Sequence, residues 1–426
     1  MTPRRLAPVV VALAMTACAH APRTSTPAPA TSRPMSIPEV SPRALRVYRE
    51  AYVIDTHNDM PSRILEDAYD PDVRHAPGFG KTEGNTDFPR LVESGMTAEF
   101  MSAWVDAPYA ERPGASFARA NQHIETIHAF VQRHPDRLLF ATTAADVRRA
   151  KAEGKVAILI GVEGGHAIEG SLDRLRDLYA RGARYLTLTW NNGNAWAGSS
   201  IGEGNTRTGG LTPFGRDVIR EMNRLGMLVD ISHVSDSTFY DAIAASTVPV
   251  IASHSSARAL NDVPRNLTDD QLRAVARNGG VVNVNFYSRF IDPRYRADIE
   301  HVEETVRAAR AAAKGASEDS ASAAKRISAM RDSLAAAIPP TPFSVLIDHI
   351  DHIAKVAGVD HVGLGSDFDG VSALPLGMED VTRLPRIAQA LLDRGYSDDD
   401  VKKMLGGNML RVMTRVLDAA HAPTTP

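Results

Sequence analysis

The chain has 426 residues, 43% of them hydrophobic and 23% charged, with a formal net charge of −3. That supply of apolar side chains fills one large core or two ordinary ones, and α/β barrels run to ~250 residues or more as single domains. The near-neutral balance, with no stripe of basic and aromatic residues to track a phosphate backbone, argues against nucleic acid as a partner.

At the N-terminus, Arg4-Arg5 precede a short apolar run from Leu6 to Met15 and then Thr16-Ala17-Cys18. This reads as a bacterial export signal, because the run is too short to span a bilayer as a helix. Cys18 is the single cysteine of the chain, and Met15-Thr-Ala-Cys18 looks like a lipobox, although Met is less usual than Leu at its first position. Acyl chains on Cys18 would give a stable membrane anchor. Residues 1–18 are thus expected to be a lipoprotein-type signal. The expected location is the periplasmic side of the bacterial cell envelope. Residues 19–40, mostly Ala, Pro, Ser and Thr, lack apolar side chains to bury and are expected to be a disordered tether. No disulfide is available, so the exported domain must hold together by packing and metal.

From 41 to about 420 apolar runs alternate with helical patterns. Strands are predicted at 51–56, 97–105, 155–162, 184–190, 227–232, 248–253, 280–287 and 361–366. Amphipathic stretches at 117–134, 172–181, 212–225 and 268–278 lie between them, the last opened by a Thr268-Asp-Asp-Gln271 capping box. The strands are almost continuously apolar, as parallel strands covered by helices are, and eight of them predict a closed (β/α)8 TIM-type barrel. A doubly wound open sheet is the structural competitor. Its ligands gather at one switch point, however, whereas here five strands spread along the chain carry polar ends. The interval 294–340, between strands seven and eight, is rich in Ala, Arg, Glu, Lys and Ser, which are mostly good helix formers. It predicts an added helical insertion, a solvated excursion in preference to a lid or a dimer contact. After Thr341, Ile347, Ile350, Ile353 and Val356 mark a core-facing helix, on which His349 and His352 read as packing or surface histidines.

The chemistry sits at the strand ends. Apolar runs deliver His57 and Asp59, Glu163, His233, His254 and Asp367, and on an extended strand His57 and Asp59 share a face. Imidazoles and carboxylates are zinc ligands, and two zinc ions ~3.5–4 Å apart can share a carboxylate and a hydroxide. His57 and Asp59 are assigned to one metal, His233 and His254 to the other, and Glu163 to the bridge. Asp367 is left free as general base and acid, with Asp369 as its rival; His166 is unassigned.

The sequence resembles the membrane (renal-type) dipeptidase family of amidohydrolase-like barrels over roughly residues 51–413. The matching pieces include Asp55-Thr-His57-Asn-Asp59, Glu163-Gly-Gly-His166, Arg184-Tyr-Leu-Thr-Leu-Thr189, Asp230-Ile-Ser-His233, Ser253-His254-Ser-Ser-Ala257, Arg265-Asn266, Val282-Asn-Val-Asn-Phe286 and Gly365-Ser-Asp367-Phe-Asp-Gly370. The resemblance implies two Zn2+ per chain and a dipeptide substrate whose terminal carboxylate is bound by Arg265. It extends to dipeptides with a D-residue on the carboxyl side and leaves a homodimer open. In one place the pattern breaks. Many members carry Leu-Thr-His after strand four, and this chain has Leu188-Thr-Trp190, so Trp190 takes a substrate-contacting position either as a wall or as an N–H donor. Alternatives are a related amidohydrolase acting on another amide, ester or lactam, and a non-catalytic peptide-binding lipoprotein.

Overall fold

The structure, a computed structural model, describes residues 37–202, 209–314 and 320–418. The export signal, Cys18 and all but the last four residues of the 19–40 tether lie outside the described residues. Among the described residues, no helix is long and apolar enough to cross a membrane.

Among the described residues nine strands form one parallel sheet: β1 (Ile54–Asn58), β2 (Ala98–Trp104), β3 (Leu138–Phe140), β4 (Val156–Glu163), β5 (Ala183–Thr187), β6 (Leu228–Asp230), β7 (Ile251–Ala252), β8 (Val281–Val284) and β9 (Val362–Leu364). Pairing of β2 with β4, together with the run β4 through β9 and back to β1 and β2, closes eight of them into a ring. The ninth, β3, lies outside the prediction. It pairs with the start of β4 at Val156–Ile158 on the flank that β5 takes over from Ile160 onward. Three residues between helices are too few to show a strand period.

Parallel strands bury both faces, and neighbouring residues accordingly join different cores. Ile54, Phe100, Leu159, Tyr185, Leu228, Ile251 and Val281 fill the ring, while Met101, Ile158, Ile160, Val229 and Val282 pack outward against helices. The helix Asp269–Asn278 starts at Thr268, and the expected capping box is formed with Gln271. In the insertion, helices Pro293–Lys314 and Ser320–Ala336 pack around their own small cluster of Tyr295, Ile299, Val302, Val306 and Ile327, apart from the barrel core. The helix Phe343–Ala357 follows, with Ile347, Ile350 and Ile353 buried and Val356 half-buried. His349 is a buried packing residue whose ring nitrogens bridge Ala257 N and Ile291 O.

Candidate metal centre and active-site cleft

The predicted ligands converge at the C-terminal ends of the strands. His57, in β1, places Nε2 3.3 Å from Asp59 Oδ2 and 3.4 Å from Glu163 Oε2. Glu163, the last residue of β4, turns its other oxygen the opposite way, with Oε1 2.9 Å from His233 Nε2 and 3.4 Å from His254 Nε2. One carboxylate therefore faces two halves of the site, His57 with Asp59 and His233 with His254.

Strand alternation does not bring His57 and Asp59 together as expected. β1 ends at Asn58; Asp59 leaves it to become the N-cap of the helix Met60–Glu66, its N–H donating to Phe368 O at 2.9 Å. His233 and His254 also stand beyond β6 and β7. His233 reaches the site through a left-handed backbone conformation, φ 65°.

Each imidazole is held from behind by an oxygen. His57 Nδ1 is 2.8 Å from Tyr185 Oη, His233 Nδ1 is 3.1 Å from Asn191 Oδ1, and His254 Nδ1 is 2.8 Å from Ser253 Oγ. Outer-nitrogen partners of this kind fix the tautomer and leave the inner nitrogen as a ligand. All three Nε2 atoms face inward, and those of His233 and His254 are 2.9 Å apart. His57 Nε2 and Asp59 Oδ1 are buried with no hydrogen-bond partner, which is the kind of deficit a bound cation removes. His57, Glu163 and His254, and likewise His57, Asp59 and Asp367, hold ligand atoms within 4.8 Å of one another. Neutral imidazoles with carboxylates make a donor set that suits zinc, so these residues fit the metal the family implies.

Burial, reinforced by the Arg265 charge, pulls His233 down to about 4 against the opposing pull of Glu163. Burial, then the charge of His57, takes His254 well below its ordinary value. Burial alone would raise Glu163, but His57, His233 and His254 hold it well below the usual carboxylate range. His57 moves the other way: burial lowers it, and Tyr185, Glu163 and Asp59 together overcome burial. A cation at its Nε2 would compete with that proton.

Asp367 lies past the end of β9 in a left-handed conformation, φ 65°. Its N–H donates to His57 O at 3.1 Å, and its Oδ2 accepts from Asn285 Nδ2 at 2.8 Å. Burial raises its pKa; His57 opposes, Asp59 and Glu163 reinforce, and the result is about 7. Asp369 is tied down by the Asn85 N–H at 2.9 Å and Arg63 at 3.7 Å. Arg265 is only 3% exposed. Its guanidinium donates to His254 O at 3.1 Å and lies over the Phe290 ring at 5.4 Å; among the described residues no carboxylate pairs with it. Trp190 does not end a strand. β5 stops at Thr187, and the Trp190 indole meets Trp104 edge-on, 5.2 Å between centroids.

Asp59, Glu163, His233, His254, Asp367 and Trp190 line a cleft of ≈ 410 Å³, a volume that suits a small ligand. A larger hollow of ≈ 700 Å³ lies around Tyr52 and His361, at the ends where β1 and β9 begin. Its charges are already engaged in the pairs Lys402–Glu50 and Lys403–Asp360 and in the donations of Arg411 to Gly279 O and Asp360 O. Sequence reasoning missed Tyr185, Asn191, Ser253 and Asn285 as supports and Trp104 as a wall. Tyr185, Ser253 and Asn285 stand inside the pieces that carry the family resemblance, the one signal that could have found them; Asn191 and Trp104 have none.

The family model for membrane dipeptidase (peptidase family M19) matches residues 41–425. Among solved structures, the chain is similar to the probable dipeptidase PvdM from Pseudomonas aeruginosa, with 24% identity, a TM-score of 0.75, and coverage of 88% of this chain and 98% of that one. At that identity the likeness speaks for the fold. It is similar too to dipeptidase AC, a metallo peptidase, at 27% identity and TM-score 0.68, covering 86% and 99% of the two chains. A metallo peptidase from Rhodobacter sphaeroides, solved with a phosphinate mimic of the dipeptide L-Ala-D-Ala, matches at 26% identity and TM-score 0.68, again covering 86% and 99%.

Proposed function

The chain belongs to the membrane dipeptidase family, a family of metal-dependent hydrolases of dipeptides, and on that premise we propose that it cleaves dipeptides with two zinc ions. The observation that carries this reading is the divided Glu163 carboxylate, one oxygen toward His57 and the other toward His233 and His254. His57, Asp59 and Glu163 would hold one ion, and Glu163, His233 and His254 the other. Zinc in such a site supplies Lewis acidity toward the peptide carbonyl and acidifies the attacking water.

The protein's own groups do the rest. Asp367, at the cleft and near neutral pKa, takes the proton of the attacking water and returns it to the leaving amine. Asn285 holds one of its oxygens and leaves the other to move that proton. Arg265, lowered by burial only to about 10 and hence still charged at neutral pH, receives the substrate's terminal carboxylate through charge-assisted hydrogen bonds. Trp190 and Trp104 wall the cleft. The dipeptide mimic bound by the Rhodobacter relative supports L,D-dipeptides as substrates here.

Metal analysis of the purified protein, with turnover of L-Ala-L-Ala and L-Ala-D-Ala, tests the proposal. Two zinc ions without cleavage of any dipeptide would point to another amide, ester or lactam; absence of bound metal would point to a binding module. We also place the domain on a lipid anchor at Cys18, a reading supported by the Met15-Thr-Ala-Cys18 motif. Cys18→Ala should move the protein from the membrane fraction to the soluble one, and unchanged fractionation would refute the anchor.

A further inference from the structure

Tyr185 projects from β5 into the ring and is fully buried. Its hydroxyl donates to Thr56 O at 3.2 Å and lies 2.8 Å from His57 Nδ1. A hydroxyl has one proton, and a carbonyl can only accept it. If that proton pointed at His57 instead, two acceptors would face each other across the Thr56 contact. The phenol oxygen therefore accepts from His57 Nδ1–H, and when the ring gives up its other proton the lone pair falls on Nε2, the nitrogen that faces Asp59 and Glu163.

The ring that carries this hydroxyl is itself fixed. Gly161 is its register partner on β4, and a Cβ there would lie 1.8 Å from Tyr185 Cζ. Gly161 does not have a positive φ, so backbone freedom does not explain the glycine; room for the phenol does. Phe100 packs on the ring at 5.4 Å.

We propose that Tyr185 is a positioning residue for the His57 half of the site, its hydroxyl setting the tautomer and ring plane of His57 from beneath the cleft. Asn191 and Ser253 stand behind the other two histidines, so loss of the Tyr185 hydroxyl removes the support of His57 and leaves theirs in place. The inference rests on the two-metal reading above.

The test uses the full chain, wild type and Tyr185→Phe, stripped by chelator and titrated with Co2+ while calorimetry and d–d absorption are followed. The Phe ring still fills the hollow at Gly161, so the variant should fold, its metal-free unfolding temperature falling only modestly through loss of the two hydrogen bonds of the hydroxyl. Wild type should take two equivalents. Tyr185→Phe should keep one at wild-type affinity and bind the other ~10–100-fold more weakly, with an altered band for that ion alone. Both equivalents bound as in wild type would overturn the inference. So would equal weakening of both, the mark of a general structural role. A wild-type chain that takes one equivalent refutes the two-metal reading separately, and Tyr185 is then judged on whether its loss weakens that one. Uptake of none overturns both.

Discussion

Asp367→Asn separates proton transfer from metal binding at a residue where the geometry admits both. The Asp367 carboxylate lies within ligand range of His57 and Asp59, yet one of its oxygens is committed to Asn285. The replacement amide can keep its carbonyl toward Asn285 and preserve the packing, while the group facing the cleft loses its basicity. General acid–base catalysis contributes about 10²–10⁴-fold, or about 3–5 kcal/mol of transition-state stabilisation. The turnover number should fall by that factor with the metal content unchanged. In the wild type the base must be ionised, and its pKa in the metal-free chain is about 7. Bound cations pull it lower, so kcat/KM should rise with pH along an acid limb whose apparent pKa is about 7 or below. That limb should vanish in the variant. Steady-state kinetics from pH 4.5 to 9, a range of about four units around that value, with metal analysis of each preparation, reads all three quantities. Loss of an ion from Asp367→Asn would refute the reasoning, because it would make Asp367 a ligand.

Glu163→Ala removes the carboxylate shared by both halves and should lower the metal content from two per chain toward one or none; retention of two would mean that something else bridges. Arg265→Lys keeps the charge but loses the planar fork, so kcat/KM for free dipeptides should drop, and wild type should discriminate against amidated dipeptides. Equal turnover of amidated and free substrates would rule out the carboxylate clamp. Trp190 meets Trp104 edge-on and lines the cleft; with Trp190 as a wall, Trp190→Phe should leave the turnover number within about 2-fold and Trp190→Ala should change which dipeptides are accepted. A fall of ~100-fold or more in the Phe variant, about 3 kcal/mol, would instead assign its N–H to the developing oxyanion.

The sequence by itself determined the barrel strands and the chemistry at their ends, because a buried parallel strand is an uninterrupted apolar run and a ligand at its end is a local feature. The capping box at Thr268 was legible for the same reason. Tertiary structure decided what depends on residues far apart in the chain. Closure of the ring rests on β2 meeting β4, and β3 has no period of its own to reveal it. Tyr185 stands behind His57 across 128 residues of sequence, and Asn285 holds Asp367 across 82. Asp59 reaches the site by turning out of its strand, and Arg265 is buried by Phe290 and by the backbone of His254. Residue type and spacing name the groups that can bind a metal; which nitrogen of each histidine faces it is set by partners that only folding brings alongside.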